Sequence, residues 1–294
     1  MRDQAYNLRK LASSKIIKKR AEKTNVTNSG FRVIAVTSGK GGVGKTNVVV
    51  NTAISLAKTG KKVVIFDADL GLANIDVLMG LIPKHTLYEV VRGEKELEEV
   101  VLTGPHDIRI IPGGSGIQEL ADLDYYQRER LITGLRSFAV DTDYLIIDTG
   151  AGISRNVLSF VSAADKVLVV LNPEPTAITD AYGVIKILSK YGLHQEVELI
   201  INRASGASEA DFTTERIKKV ASEFLKIKVK QLGYIAEDPA VGKAVRKQQP
   251  FITLYPHAKA SINIEAISQR LLGRNYVQAK GVDGFINKLR RLFG

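Results

Sequence analysis

Lys40-Gly41-Gly42-Val43-Gly44-Lys45-Thr46 decides the reading of this chain. It follows an apolar, β-branched run at 33–36 and opens a helix-compatible run at 48–58. Strand, glycine loop and helix in that order form the setting a phosphate-binding loop requires. Gly41, Gly42 and Gly44 let backbone N–H groups turn inward around an anion, with Val43 carried in the same turn. The helix N-terminus behind them adds partial positive charge. Lys45 is placed to reach the β- and γ-phosphates, and the Thr46 hydroxyl to ligate Mg²⁺. The nucleotide-contacting stretch therefore reads as Gly41 through Asn47. Lys40, an extra lysine at the head of the loop, separates it from the common form.

Composition narrows the field. A chain of 294 residues suits one large α/β domain or two small ones, and an apolar fraction of 45% is ample for a core. There is no cysteine, which excludes a disulfide framework, a thiolate zinc site and a cysteine-held iron–sulfur cluster. The charged N-terminus has no apolar segment behind it, unlike a secretory signal. No apolar run approaches the ~20 residues that span a bilayer. A soluble, cytoplasmic protein is expected. The net charge of +11 points first to nucleic acid. Its distribution points elsewhere. Residues 1–24 hold eight Lys/Arg against Asp3 and Glu22, and residues 273–294 hold five against Asp283, which leaves +1 for everything between. The basicity belongs to two tails.

From Phe31 onward, short β-branched runs at 33–37, 63–67, 108–111, 144–148, 166–171, 198–202 and 228–234 alternate with helical patterns such as 125–138, 176–191 and 212–225. Several runs are apolar nearly throughout, as in strands buried on both faces of a parallel sheet. The pattern predicts an α/β fold, a doubly wound, mostly parallel sheet flanked by helices, with its functional loops at the strand carboxyl ends. The expected organisation is a basic N-terminal helix at 1–24, a polar linker at 25–30, the main domain at 31–272 and a C-terminal tail at 273–294.

Acidic residues stand at two of those strand ends. Asp67 and Asp69 flank Ala68 after the second run, placed either to polarise an attacking water or to hold Mg²⁺ through its water shell. Asp148 ends the run at 144–148 as a magnesium-supporting aspartate does, and Thr149-Gly150-Ala151-Gly152 after it allows close approach and hinge motion. Two later strand ends, Asn172-Pro173-Glu174-Pro175-Thr176 and Asn202-Arg203, are placed to hold the base, and a loop at 236–241 to close over it. The four histidines are isolated and read as structural or surface.

These motifs together resemble the MinD/ParA family of ATPases. Lys40 matches the lysine that reaches across an ATP-sandwiched dimer to the partner's nucleotide. Asp67-Ala68-Asp69 and Asn74 resemble its first switch, which implies that Asp69 positions the hydrolytic water, that Asp67 supports the metal or the water network, and that Asn74 assists. The segment from Asp148 resembles its second switch, with Thr149-Gly150 in place of the usual x-Pro. The resemblance further implies that Asn202 and Arg203 contact adenine, that Glu174 reaches the partner's nucleotide and that Asp180 binds a regulator. ATP or ADP with Mg²⁺ is the implied cofactor set. Without cysteine, the chain does not fit the iron–sulfur members of that family.

Both tails carry patterns of their own. Phe285, Ile286, Leu289, Leu292 and Phe293 form one helical stripe, with Lys288, Arg290 and Arg291 beside or opposite it. Such a stripe suits a helix docked on the body or one lying in an anionic membrane interface. Gly281 and Gly284 before it, and two phenylalanines otherwise left in water, favour the membrane. Two tails in an ATP-bound dimer add their free energies, so membrane binding follows ATP. At the other end, Asp3-Gln4-Ala5-x-x-Leu8-Arg9 resembles an element of the flagellar-number regulators of the FlhG type. There a helix of this form stimulates the GTPase of FlhF, a signal-recognition-like partner, and the resemblance makes Gln4 the activating side chain within Asp3, Leu8 and Arg9. It also implies flagellar C-ring switch proteins as partners. The rival reading is a ParA-like DNA-segregation ATPase; the near-neutral body weighs against nucleic acid.

Overall fold

A computed structural model describes residues 31–69, 74–114, 123–273 and 281–293. Asp3, Gln4, Leu8 and Arg9 lie outside the described residues. The strands are β1 (Arg32–Ser38), β2 (Val63–Ala68), β3 (Leu102–Thr103), β4 (Arg109–Ile111), β5 (Tyr144–Ala151), β6 (Lys166–Leu171), β7 (Glu196–Ala204) and β8 (Lys228–Ala236). The helices are α1 (Lys45–Ala57), α2 (Ile75–Met79), α3 (Leu87–Arg92), α4 (Leu97–Val100), α5 (Tyr125–Phe138), α6 (Arg155–Ala163), α7 (Pro175–Lys190), α8 (Ala207–Phe224), α9 (Pro239–Arg246), α10 (Phe251–Leu254), α11 (Lys259–Leu272) and α12 (Gly281–Phe293).

The strands form one sheet in the order β3-β4-β2-β5-β1-β6-β7-β8, parallel except for the β3–β4 pair. The expected doubly wound sheet is therefore present. Its strand patterns explain themselves through the two layers that cover it. Along β1, Val33 and Ala35 face one apolar cluster, lined by α3 to α8 and α12, while Ile34 and Val36 face the other, lined by α1, α2, α9, α10 and α11. Side chains of a strand alternate between faces, so burying both faces favours apolar residues at successive positions. The chain leaves β1 through α1 toward β2 on one side, and leaves β5 through α6 toward β6 on the other. The connections diverge above β1 and β5, where open α/β sheets bind ligands.

Most strands and helices run a few residues beyond or short of their expected bounds, and three further differences stand out. β3 has only two residues, too few for a periodic pattern, and escaped notice. The fourth strand begins at Arg109, because Ile108 ends the Pro105–Asp107 turn. The third difference is larger. Residues 273–294 read from sequence as a tail set apart from the body, with a stripe turned to lipid. In the structure α12 packs on α5, α6 and β1, and Phe285, Ile286 and Leu289 are 2%, 0% and 1% exposed. They belong to the same cluster as Val33, Val161 and Leu135. Arg290 grips Glu129 with two hydrogen bonds of 2.9 and 2.6 Å, Arg136 pairs with Asp283, and Lys288 Nζ donates to the Ser162 carbonyl at 2.8 Å. In this structure the stripe lies against protein, and an amphipathic helix meets protein or lipid with the same pattern. The side chains of Leu292 and Phe293 lie outside the described residues. Among the described residues no helix is long and apolar enough to cross a membrane.

Candidate functional site

The loop between β1 and α1 takes its shape from left-handed backbone at Gly42 (φ 77°) and Gly44 (φ 89°), conformations a side chain would strain. A Cβ at Gly41 or Gly42 would meet nothing within 4 Å, so the loop opens onto free space. Gly44 is the N-cap of α1, and no side chain caps the helix. Its first N–H groups therefore point into the opening with only the loop around them. Gly39 is tight for another reason: a Cβ there would stand 2.2 Å from the backbone carbon of Asp180 in α7. The phosphate-binding loop begins flush against that helix.

Lys45 lies at the floor of the loop, 8% exposed, with Nζ 2.5 Å from Asp148 Oδ1. The Thr46 hydroxyl bonds the same carboxylate. Burial pushes Asp148 upward from its ordinary range, while the Lys45 ammonium and the Thr46 hydroxyl pull it down. Asp67 is level with Asp148 on the neighbouring strand. Burial first, and then the charge of Asp148, raise Asp67 to about 7, although N–H groups of Asn74, Asp69 and Ile75 oppose the rise. Asp69 is half-buried, and its Oδ1 would be 3.6 Å from a Cβ at Gly150. Gly150 and Gly152 hold the end of β5 close to the loop: Gly152 N donates to Ser38 O at 2.8 Å and Thr149 Oγ1 donates to Val36 O at 3.1 Å. The Thr149 hydroxyl thus ties down the segment in which Thr149-Gly150 replaces the usual x-Pro. The three aspartates and both residues of the Lys45-Thr46 pair converge as expected.

Asn202 sits at 9% exposure and its Nδ2 donates to the Val43 carbonyl at 2.7 Å. It braces the phosphate-binding loop from the strand end expected to carry the base. Arg203 after it is exposed, with left-handed backbone (φ 58°), an uncommon state for a non-glycine residue. Lys40 does not reach toward the loop. Its Nζ bonds Glu174 Oε2 at 2.8 Å and Thr176 Oγ1 at 3.1 Å within the same chain, and the Lys40 bond is the main reason Glu174 lies below its ordinary range. Asp180 is half-buried on α7, behind Gly39. The loop at 236–241 leads from β8 into α9, whose N-terminus Asp238 caps by accepting from Ala240 N at 2.9 Å. Two roles escaped sequence reasoning. Thr176, read within the strand end placed to hold the base, serves as a partner of Lys40. The steric demand on Gly39 had no local signal, because it comes from a helix some 140 residues away.

Uncapped amides, a lysine and a hydroxyl beside a buried carboxylate suit a triphosphate whose charge Mg²⁺ neutralises. On this sheet they define a P-loop nucleoside triphosphatase. A family profile described as an AAA domain matches residues 31–201. Antiactivator FleN of Pseudomonas aeruginosa is 44% identical over 240 residues, covering 82% of this chain and 86% of its own. The flagellum site-determining protein YlxH of Helicobacter pylori is 35% identical over 276 residues, covering 92% of each. Among solved structures, the septum site-determining protein MinD of Pyrococcus horikoshii, complexed with Mg-ADP, superposes with a TM-score of 0.65 at 25% identity, covering 82% of this chain and 96% of that one. The chain belongs to the MinD/ParA-type P-loop ATPases: it hydrolyses ATP, with Mg²⁺ as its metal.

Proposed function

We propose that this protein is an ATP-driven switch that sets flagellar number and placement; its relative FleN is named an antiactivator and its relative YlxH a flagellum site-determining protein. The identity to FleN across most of both chains carries the reading. In it, Gly41 to Asn47 and Lys45 hold the phosphates, Thr46 and, through water, Asp148 hold Mg²⁺, Asp69 positions the attacking water, and Asn202 and Arg203 flank adenine. Lys40 exchanges its contacts with Glu174 and Thr176 for the nucleotide of a second copy, and Glu174 turns to the same nucleotide. The ATP-bound homodimer then frees α12, whose Phe285, Ile286 and Leu289, with Leu292 and Phe293, enter an anionic surface on the inner face of the cell membrane. Asp180 takes a regulator. The N-terminal residues, Gln4 foremost with Asp3, Leu8 and Arg9, stimulate the GTPase of FlhF, and flagellar C-ring proteins are further partners.

Sedimentation with anionic vesicles tests the membrane half, using the full chain and a chain ending at 280, each with ATP and with ADP. Binding with ATP alone, lost on truncation, is expected. Salt-sensitive binding of the ATP form to DNA, with none to vesicles, replaces the reading with a ParA-like one. FlhF GTPase assays with wild-type chain and Gln4→Ala test the other end; equal stimulation by both removes that role.

A further inference from the structure

Asp67 and Asp148 stand at one level on adjacent strands, and both are 1% exposed. Their carboxylates serve different neighbours. Asp148 takes the loop lysine and hydroxyl. Asp67 turns both oxygens to backbone N–H groups of its own connection. Oδ1 accepts from Asp69 at 3.1 Å; Oδ2 accepts from Asn74 at 3.2 Å and from Ile75 at 3.5 Å. The first donor lies where β2 ends, and the other two where α2 begins. Asn74, the N-cap of α2, makes no side-chain cap bond, and Asp67 takes the N–H groups of the N-cap and of the first helical residue instead. Gly113 closes the space behind: a Cβ there would be 3.1 Å from the Asp67 carbonyl oxygen and 3.5 Å from its carboxyl carbon. Asp67 is wedged in place with its acceptor sites on both sides in use.

We propose that Asp67 is a positioning residue whose carboxylate clasps the two ends of the 69–75 connection and so holds Asp69 beside Gly150, without itself binding the metal or the reacting water. The residue type follows from the donor set. The three groups bonded to the carboxyl group all donate, and a carboxyl accepts on both oxygens, fully when ionised and through its remaining lone pairs when protonated. An amide of the same shape keeps one side and turns an NH₂ group toward donors on the other. The clasp gives Asp67 a task different from those of its two neighbours: Asp148 answers to the phosphate-binding loop, and Asp69 is the group being placed. A displacement of about 1 Å at a reacting group is enough to cost roughly 10²-fold in rate.

The test compares the full-length wild type with Asp67→Asn and Asp69→Asn. Three readouts are needed: kcat and KM for ATP, ADP affinity with and without Mg²⁺, and amide hydrogen exchange at residues 69, 74 and 75. For Asp67→Asn, kcat falls about tenfold or more while the gain in ADP affinity from Mg²⁺ stays within about twofold of wild type. Exchange at the three amides quickens by about tenfold or more. Asp69→Asn loses turnover with exchange at Asn74 and Ile75 unchanged. Loss of the Mg²⁺ gain in Asp67→Asn makes Asp67 a metal ligand and overturns the proposal. Lost turnover with unaltered exchange overturns it in favour of a direct chemical role, and faster exchange with full turnover overturns it by making the clasp irrelevant. Should Asp67→Asn not fold, wild type alone decides. Protection at Asn74 and Ile75 persists from EDTA to Mg-ADP if the clasp holds, and disappears on adding Mg-ADP if Asp67 moves to the metal.

Discussion

Replacing Phe285 with alanine removes the largest side chain that α12 buries among the described residues, and the cost follows from its surroundings. The ring is 2% exposed, with Ile286 and Leu289 beside it at 0% and 1%. Truncating a buried phenylalanine forfeits its transfer free energy and leaves a cavity that the packed helices only partly close, together about 3–5 kcal/mol. Leu289→Ala costs about 2–5 kcal/mol on the same grounds. The ion pairs at the rim weigh much less. Arg290 and Glu129 are 39% and 14% exposed, and Arg136 and Asp283 are 22% and 42% exposed, so solvent screens both pairs and each contributes about 1 kcal/mol or less. Burial, not charge, holds the helix. Asn287 is exposed on the same helix, and its alanine variant stays within about 0.5 kcal/mol of wild type. Urea unfolding of the nucleotide-free protein measures all three, with an unchanged m-value marking a true stability change. The two apolar substitutions lie one turn apart in one apolar cluster, so their double variant loses less than the sum. If Phe285→Ala and Leu289→Ala each cost under about 1 kcal/mol, α12 is not docked in solution and the reasoning fails.

Three further outcomes are expected. Lys45→Met leaves Asp148 buried without its cation, which costs about 3–5 kcal/mol in the nucleotide-free protein; thermal unfolding without nucleotide reads it, and an unchanged midpoint contradicts the buried pair. Asn202→Asp sets a carboxylate oxygen against the Val43 carbonyl in place of an N–H donor, so calorimetric ADP affinity falls about tenfold or more; full affinity means the brace does not matter. Asp67 binds its proton more tightly folded, at about 7, than at the ordinary 3.8, so its contribution to stability is complete below about 3.8 and is lost as pH rises through about 7. Melting curves from pH 4 to pH 8 should show wild type losing stability relative to Asp67→Asn across that window, and a constant difference refutes the shift.

The fold was legible because its signals are local. Each strand of a sheet covered on both faces must be apolar along its length, and the runs at 63–67, 144–148 and 166–171 matched β2, β5 and β6 to within a few residues. The helix read at 125–138 coincides with α5, where Asp124 and Gln127 form a reciprocal N-terminal cap. The start of β4 and the presence of β3 were harder, since two or three residues carry no period. At the site, Lys45, Thr46, Asp69 and Asp148 were legible as residue types at strand ends. Their partners were less so: Lys40 bonded to Thr176, and Asn202 bonded to Val43 across 159 positions, follow from packing that no local pattern records.

The sequence by itself determined the α/β alternation, the left-handed glycine loop, the acidic strand ends and the amphipathic stripe at the C-terminus. Each is set by one residue's backbone freedom, by the two-residue period of a strand or by the helical period, and these act within a few positions. Only the tertiary structure decided that Gly39 must clear Asp180, that Asp67 faces three backbone donors and that Phe285, Ile286 and Leu289 join the protein's own core. An apolar stripe lowers its free energy against any dry surface, and a carboxylate against any set of donors. Which surface and which donors are nearby is fixed by how distant segments pack.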